Sequence, residues 1–183
     1  QPHERSYAMY TPFLSVLELE VPTIAALNGH AIGGGFGLAL ACDLRIANVG
    51  AKYGANFARL GLSSGMAISY ILPRLVGVPK AAELMFTGRI FKGDEAAQMG
   101  LVNDAVEGEQ VLARAMELAG EIAASAPVAI RLIKRTLYEG LSWDPKGAAF
   151  KEAYGQAMTV NTADAKEGMS ALLEKRKPHF NGR

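Results

Sequence analysis

Asn28–Gly37 reads NGHAIGGGFG, and Ala31–Cys42 runs on as AIGGGFGLALAC without a charged residue. Five of those first ten residues are glycine, and a small-residue segment suited to a helix follows at once. Upstream, Thr23–Asn28 (TIAALN) is a short apolar run after Pro22 that predicts a buried strand, with Gly29 opening a turn. The order is therefore strand, bare backbone, helix. At the first turn of a helix the N–H groups have no intrahelical acceptor and the dipole is positive, so an oxygen carrying negative charge is stabilised there. Glycine lets a ligand approach that backbone closely. The stretch is a candidate anion or oxyanion site. The same glycines also suit a tight strand-to-helix turn and close helix packing, and spacing alone leaves both readings open.

Working outward, a helix is expected over about Gly34–Cys42, and short strands over Asp43–Asn48 (DLRIAN) and around Lys52–Gly54. Ser63–Gly65 reads as a cap and turn before a helix, Met66–Leu72, that Pro73 and Gly77 end. Helices are predicted over Pro79–Phe86 and Gly93–Met99, the latter stopped by Gly100. From Glu109 onward the pattern turns helical: Val111–Ala124, Pro127–Tyr138, Lys146–Val160 and Ala163–Lys175. The composition change at Glu107–Glu109 divides a mixed αβ part, residues 1–106, from a helical part, residues 107–183. Apolar stripes in the helical part, such as Val128, Ile130, Leu132, Ile133 and Leu137, read as core or partner-helix packing.

A chain of 183 residues, half of them hydrophobic, is long enough to bury a sizeable core. Nineteen Lys and Arg against 18 Asp and Glu leave a formal charge of +1, so no overall field draws it toward nucleic acid or a membrane surface. Any anionic ligand must be met locally. The one cysteine, Cys42, excludes an intrachain disulfide and any cysteine-rich metal site. Without an apolar signal core or a spanning run, the expected location is cytoplasmic.

Several motifs compete for the chemistry. A dinucleotide fingerprint needs G-x-G-x-x-G, whereas Gly33, Gly35 and Gly37 recur at every second position and the nearest acid is Asp43. A P-loop needs a terminal G-K-[ST], which is missing. Gly61–Gly65 (GLSSG) satisfies the G-x-S-x-G of serine hydrolases, and Asp94, Asp104, Asp144 or Asp164 followed by His179 would complete the chain order. Against it, ARL rather than an apolar strand precedes Gly61, and Ser63 or Ser64 serves equally as a helix cap. His30 reads as a turn histidine, and with His3, His30 and His179 dispersed no metal site is expected. Glu174–Lys177 (EKRK) is either a solvated face or a cationic contact for phosphates.

PTIAALNGHAIGGGFGLALACDLRIAN, followed in order by KYGANFARLGL, LPRLVG, AAELMFTGR, AAQMGLVNDAV and DAKEGMSALLEKRKPHF, resembles the enoyl-CoA hydratase/isomerase (crotonase) superfamily over nearly the whole chain. The resemblance implies an α/β fold, a ββα superhelix or spiral with a C-terminal helical trimerisation region. It implies an acyl-CoA thioester as substrate or ligand, no separate cofactor, and a homotrimer or dimer of trimers. It places the N–H of Gly34 on the thioester oxygen, as an oxyanion donor, and Lys175 at the nucleotide end of CoA; the aromatic that commonly assists there is replaced by Gln156.

Three departures qualify what the resemblance implies. Family hydratases carry a glutamate three residues after the oxyanion glycine and another twenty further on, and here those positions are Gly37 and Phe57. The loop aspartate of several isomerases and dehalogenases is Gly65. Water addition needs a base and an acid, each contributing roughly 10²–10⁴-fold, so the two-glutamate route is closed and the acid/base group is unknown. The family's usual N-terminal portion, with the second oxyanion N–H, is also expected to be missing from the 1–106 core. Tyr53, Asn56, Arg59, Ser63 and Ser64 are the polar residues near the emptied positions, while Phe57 and Met66 are expected to enlarge an apolar acyl pocket. The expectation is an atypical family member acting on enoyl- or acyl-CoA. The alternatives are a non-catalytic acyl-CoA carrier or sensor, and a thioesterase through Ser63.

Overall fold

Ile24–Leu27 forms β1 and Leu44–Asn48 forms β3, paired in parallel with Ile24 opposite Leu44 and Leu27 opposite Ala47. Parallel strands need a crossover. Here the connection carries a second short strand, β2 (Ala31–Ile32), and then α2 (Gly34–Ala41). The pattern repeats: β3 is followed by β4 (Lys52–Gly54), which pairs in parallel with β2 rather than with β3. Strands thus alternate between two sheets, one ordered β1-β3-β6 and the other β2-β4-β5, with β5 at Phe91–Lys92 and β6 at Asp104–Val106. This is a ββα spiral.

This computed structural model describes all residues, Gln1–Arg183. The chain divides into two units, one of Gln1–Leu19 with Thr23–Met116, the other of Glu20–Pro22 with Glu117–Arg183. In the first lie α1 (Pro2–Leu14), the two sheets, α3 (Ile68–Val76), α4 (Val78–Thr87) and α5 (Gly93–Gln98). Helix α6 (Val111–Ala123) carries the chain into the second unit, which holds α7 (Pro127–Gly140), α8 (Pro145–Thr159) and α9 (Ala163–Glu174). The change in sequence character at Glu107–Glu109 falls just ahead of α6.

Helix α2 lacks a polar face, and such a helix must be buried. Phe36, Ala39, Leu40 and Ala41 are indeed core residues, joined by Tyr53, Ile68, Leu72 and Phe91. The core closes around an edge-to-face pair, Phe36 on Phe91, with ring centroids 5.8 Å apart. At the other end of α2 the buried Arg45 guanidinium donates to the carbonyls of Cys42 at 2.6 Å, Asp43 at 3.3 Å and Leu101 at 2.8 Å. A cation there meets the negative end of the helix dipole. The Asp43 carboxylate accepts from the Thr23 N–H at 2.6 Å and hydroxyl at 2.9 Å, tying the start of β3 to that of β1.

One predicted helix moves. Instead of Met66–Leu72, α3 starts at Ile68 and runs through Pro73 to Val76, with Gly77 at its C-cap. Met66 and Ala67 take left-handed backbone, φ 57° and 54°, which delays the helix. Neither Ser63 nor Ser64 caps it, because Ala67 occupies the N-cap and no side chain bonds there.

Candidate active site at the start of helix α2

The glycines from 33 to 37 do different things. Gly33 sits at φ 59°, ψ −117°, a conformation open to glycine, and donates to the Gly54 carbonyl at 2.9 Å. It locks β2 to β4 and turns the chain into α2. Gly34 and Gly35 are exposed, and a Cβ on either would meet nothing within 4 Å. Their N–H groups have no acceptor in the chain, whereas the Gly37 N–H, further into the helix, donates to the Gly33 carbonyl at 3.0 Å. The positive end of α2 is therefore open to a ligand at Gly34. Gly37 is buried, and its missing Cβ would lie 2.3 Å from Met66 Cβ. That glycine is a packing requirement.

The other predicted residues fall into two groups. Phe57, half-buried, brings its ring to 3.9 Å from where a Gly33 Cβ would stand, and the Asn56 carbonyl oxygen Oδ1 comes within 3.5 Å of the same point. Both flank the turn at Gly33. Met66 is buried, and its side chain stands on Gly37 and fills the volume a side chain there would take. Tyr53 and Arg59 are hydrogen-bonded to backbone elsewhere in the fold. The Tyr53 hydroxyl donates to the Leu27 carbonyl at 3.0 Å and accepts from the Asn48 N–H at 3.0 Å, and burial pushes its pKa upward against that hydrogen bond. Arg59 Nε donates to the Thr87 carbonyl at 2.8 Å.

For a nucleophile elbow a strand must lead into the serine. The residues before Ser63 form a 3-10 turn, Asn56–Leu60, ended by left-handed Gly61, and Ser63 is exposed. His30 accepts the Lys52 N–H on Nδ1 at 3.0 Å, the bond of a turn histidine.

One residue escaped the sequence reading altogether. The Tyr10 hydroxyl, from α1, lies 2.6 Å from where a Cβ on Gly65 would be. No local pattern links the two, because the contact joins distant parts of the chain.

In the second unit Lys175 ends α9 in left-handed backbone, φ 54°, with its side chain exposed. Its neighbour Arg176 is committed to carboxylates, pairing with Glu167 at 2.9 Å and Glu174 at 2.6 Å. Glu167 also accepts the His179 N–H at 2.9 Å, and these bonds, that of Arg176 foremost, hold its carboxyl down at about 2. Of EKRK, the lysines are thus left for an outside anion. Gln156 lines a groove of about 440 Å³ between α7 and α8, with Leu132, Ile133 and Leu137.

Comparison with known proteins accounts for this arrangement. The family model described as enoyl-CoA hydratase/isomerase matches residues 3–183. The chain is 42% identical to the crotonyl-CoA hydratase of Syntrophomonas wolfei over 168 residues, 92% of this chain and 65% of that one. It is 46% identical to the mitochondrial enoyl-CoA hydratase domain-containing protein 2 of Mus musculus, covering 89% of this chain and 56% of the relative. It therefore spans less than two thirds of the length of these relatives. The crystal structure of an enoyl-CoA hydratase from Bacillus anthracis superposes with a TM-score of 0.95 at 37% identity, covering all of this chain and 71% of that one. The fold is the crotonase spiral, and the chain belongs to the enoyl-CoA hydratase/isomerase family.

Proposed function

We propose that the chain binds an acyl-CoA thioester with its carbonyl oxygen on the Gly34 N–H, and acts on enoyl- or acyl-CoA by a route other than two-glutamate hydration. The observation that carries this reading is the exposed, acceptor-free amide of Gly34 at the positive end of a buried helix. As negative charge moves onto the thioester oxygen, that N–H holds it without reorganising, an effect worth roughly 3–4 kcal/mol per donor. Phe57 flanks the acyl group on the apolar side, Met66 closes the wall behind it, and Lys175 meets the CoA phosphates. Exposed Ile133, Leu137, Tyr154, Met158 and Leu172 on the helical unit support self-association as a homotrimer or dimer of trimers. The single cysteine fits a reducing compartment such as the cytoplasm.

The vacant acid/base positions favour a second reading, an acyl-CoA carrier or sensor without turnover. Thioesterase chemistry through Ser63 lacks the strand that poises such a serine.

Incubation with saturated, enoyl and aromatic acyl-CoAs, following binding, product mass and isomer separation, tests all three. A gain of water, a new isomer or loss of CoA marks an enzyme. Loss of CoA that persists in Ser63→Ala removes the serine route. Binding with every species unchanged marks the carrier, and no binding to any member overturns the acyl-CoA reading.

A further inference from the structure

Ala31, Tyr53 and Phe91, one from each strand of the sheet β2-β4-β5, turn into the core, the Tyr53 and Phe91 rings with centroids 6.5 Å apart. Side chains alternate along a strand, so the residues next to them face the other way. On that face stand His30, Lys52 and Lys92, all exposed. Lys52 and Lys92 are register partners across β4 and β5, and the Lys52 N–H donates to His30 Nδ1 at 3.0 Å. Three basic residues thus form a row across the sheet. The backbone beneath the row is fixed: Gly93, directly after Lys92, donates to the Val49 carbonyl at 3.2 Å, and a Cβ on it would collide with the Asn48 carbonyl in the turn that leads to β4. Like charges directly opposite each other in a sheet are destabilising. Nothing in the chain offsets this pair, for neither ammonium has a hydrogen-bond or ion-pair partner, and the acid nearest in sequence, Asp94, accepts the Glu95 N–H at 2.8 Å. An imidazole that accepts on Nδ1 carries its proton on Nε2, so His30 adds a third donor.

We propose that His30, Lys52 and Lys92 bind the phosphate group of a second ligand, a phosphate ester or pyrophosphate, apart from the acyl thioester at Gly34. Two ammonium point charges and an N–H suit a tetrahedral dianion, whereas a planar carboxylate is better matched by the fork of an arginine, which the row lacks. An anion between the two lysines turns their repulsion into attraction, and the short strands that carry them are anchored in the core through Tyr53 and Phe91. The row lies at the opposite end of β2 from the oxyanion donor: His30 precedes the strand and Gly34 follows it, with about 10 Å of extended chain between His30 and Gly33.

The test is titration of the full chain with pyrophosphate at fixed ionic strength, followed at the His30 imidazole by ¹⁵N NMR, with and without saturating butyryl-CoA. It is repeated in Lys52→Gln/Lys92→Gln and in Lys146→Gln, which removes an exposed lysine of the helical unit. His30 should shift saturably in the wild type, with an affinity about tenfold or more weaker in the double variant, as expected when charge-assisted bonds are lost, and unchanged in Lys146→Gln. Butyryl-CoA should leave the shift in place. Without pyrophosphate the double variant should melt at a higher temperature than the wild type, because the repulsion is gone. The inference is overturned by the absence of a saturable His30 shift, by an equal affinity in the double variant, or by a double variant that melts lower than the wild type. It is also overturned by a shift that butyryl-CoA abolishes, which would give these residues to the phosphates of CoA. The His30 titration by itself needs no acyl-CoA, so the acyl-thioester reading stands or falls separately.

Discussion

Met66 Cβ stands 2.3 Å from the point a Gly37 Cβ would occupy, so the side chain of residue 66 fills the space where residue 37 has none. The two positions are coupled. A side chain at 37 and the methionine at 66 compete for the same space.

Gly37→Glu, alone or with Phe57→Glu, should therefore destabilise the fold by about 1–3 kcal/mol, the usual penalty for overpacking a core. Adding Met66→Gly opens the space and suits the left-handed backbone at φ 57°, so the triple variant should recover part of the loss. Thermal unfolding of the three proteins measures this. Crotonyl-CoA hydration would then be expected only in the triple variant; hydration by Gly37→Glu/Phe57→Glu at wild-type stability would show the coupling to be wrong.

Gly34 permits a clean test of the donor. Proline is tolerated at the first position of a helix and removes the N–H, while alanine keeps it and meets nothing within 4 Å. Gly34→Pro should raise the carbonyl stretching frequency of a bound acyl-CoA and lower any turnover by roughly 10²–10³-fold. Gly34→Ala should do neither. Identical infrared spectra for the two variants would remove Gly34 from the site.

Arg45 should matter to stability and not to ligand choice. Arg45→Met leaves the carbonyls of Cys42 and Leu101 without this donor and should cost about 3 kcal/mol in urea unfolding, since buried groups lose their partners. An unchanged midpoint would show that water replaces the guanidinium freely.

The tail that follows α9 should respond to acid. Glu167 binds Arg176 and the His179 N–H, and its carboxyl is held down at about 2. A carboxyl lowered on folding adds stability that is complete above its ordinary pKa of roughly 4.3 and is lost as pH falls toward the lowered value. Protection of the His179 amide, its exchange rate taken relative to an unstructured peptide at the same pH, should fall between those two limits. In Glu167→Gln that protection should be lost already at neutral pH, and a wild-type protection that does not change with pH would contradict the assignment.

The sequence by itself determined the local elements and the glycine turn into α2. Strands β1, β3 and β4 and helices α2 and α5–α9 follow from apolar periodicity bounded by Gly, Pro and polar breaks, which act over a few residues. The candidate donor at Gly34 was legible for the same reason, because a helix start creates acceptor-free amides wherever it occurs. Tertiary structure alone decided why the glycines of this stretch are not equivalent, since Gly33 answers to Gly54, Gly37 to Met66, and Gly34 to open space. It also decided where α3 begins and which hydroxyl faces Gly65, through left-handed Met66 and Ala67 and through Tyr10. These are contacts between side chains and backbone far apart in the chain, and steric exclusion between distant segments leaves no periodicity in the sequence to read.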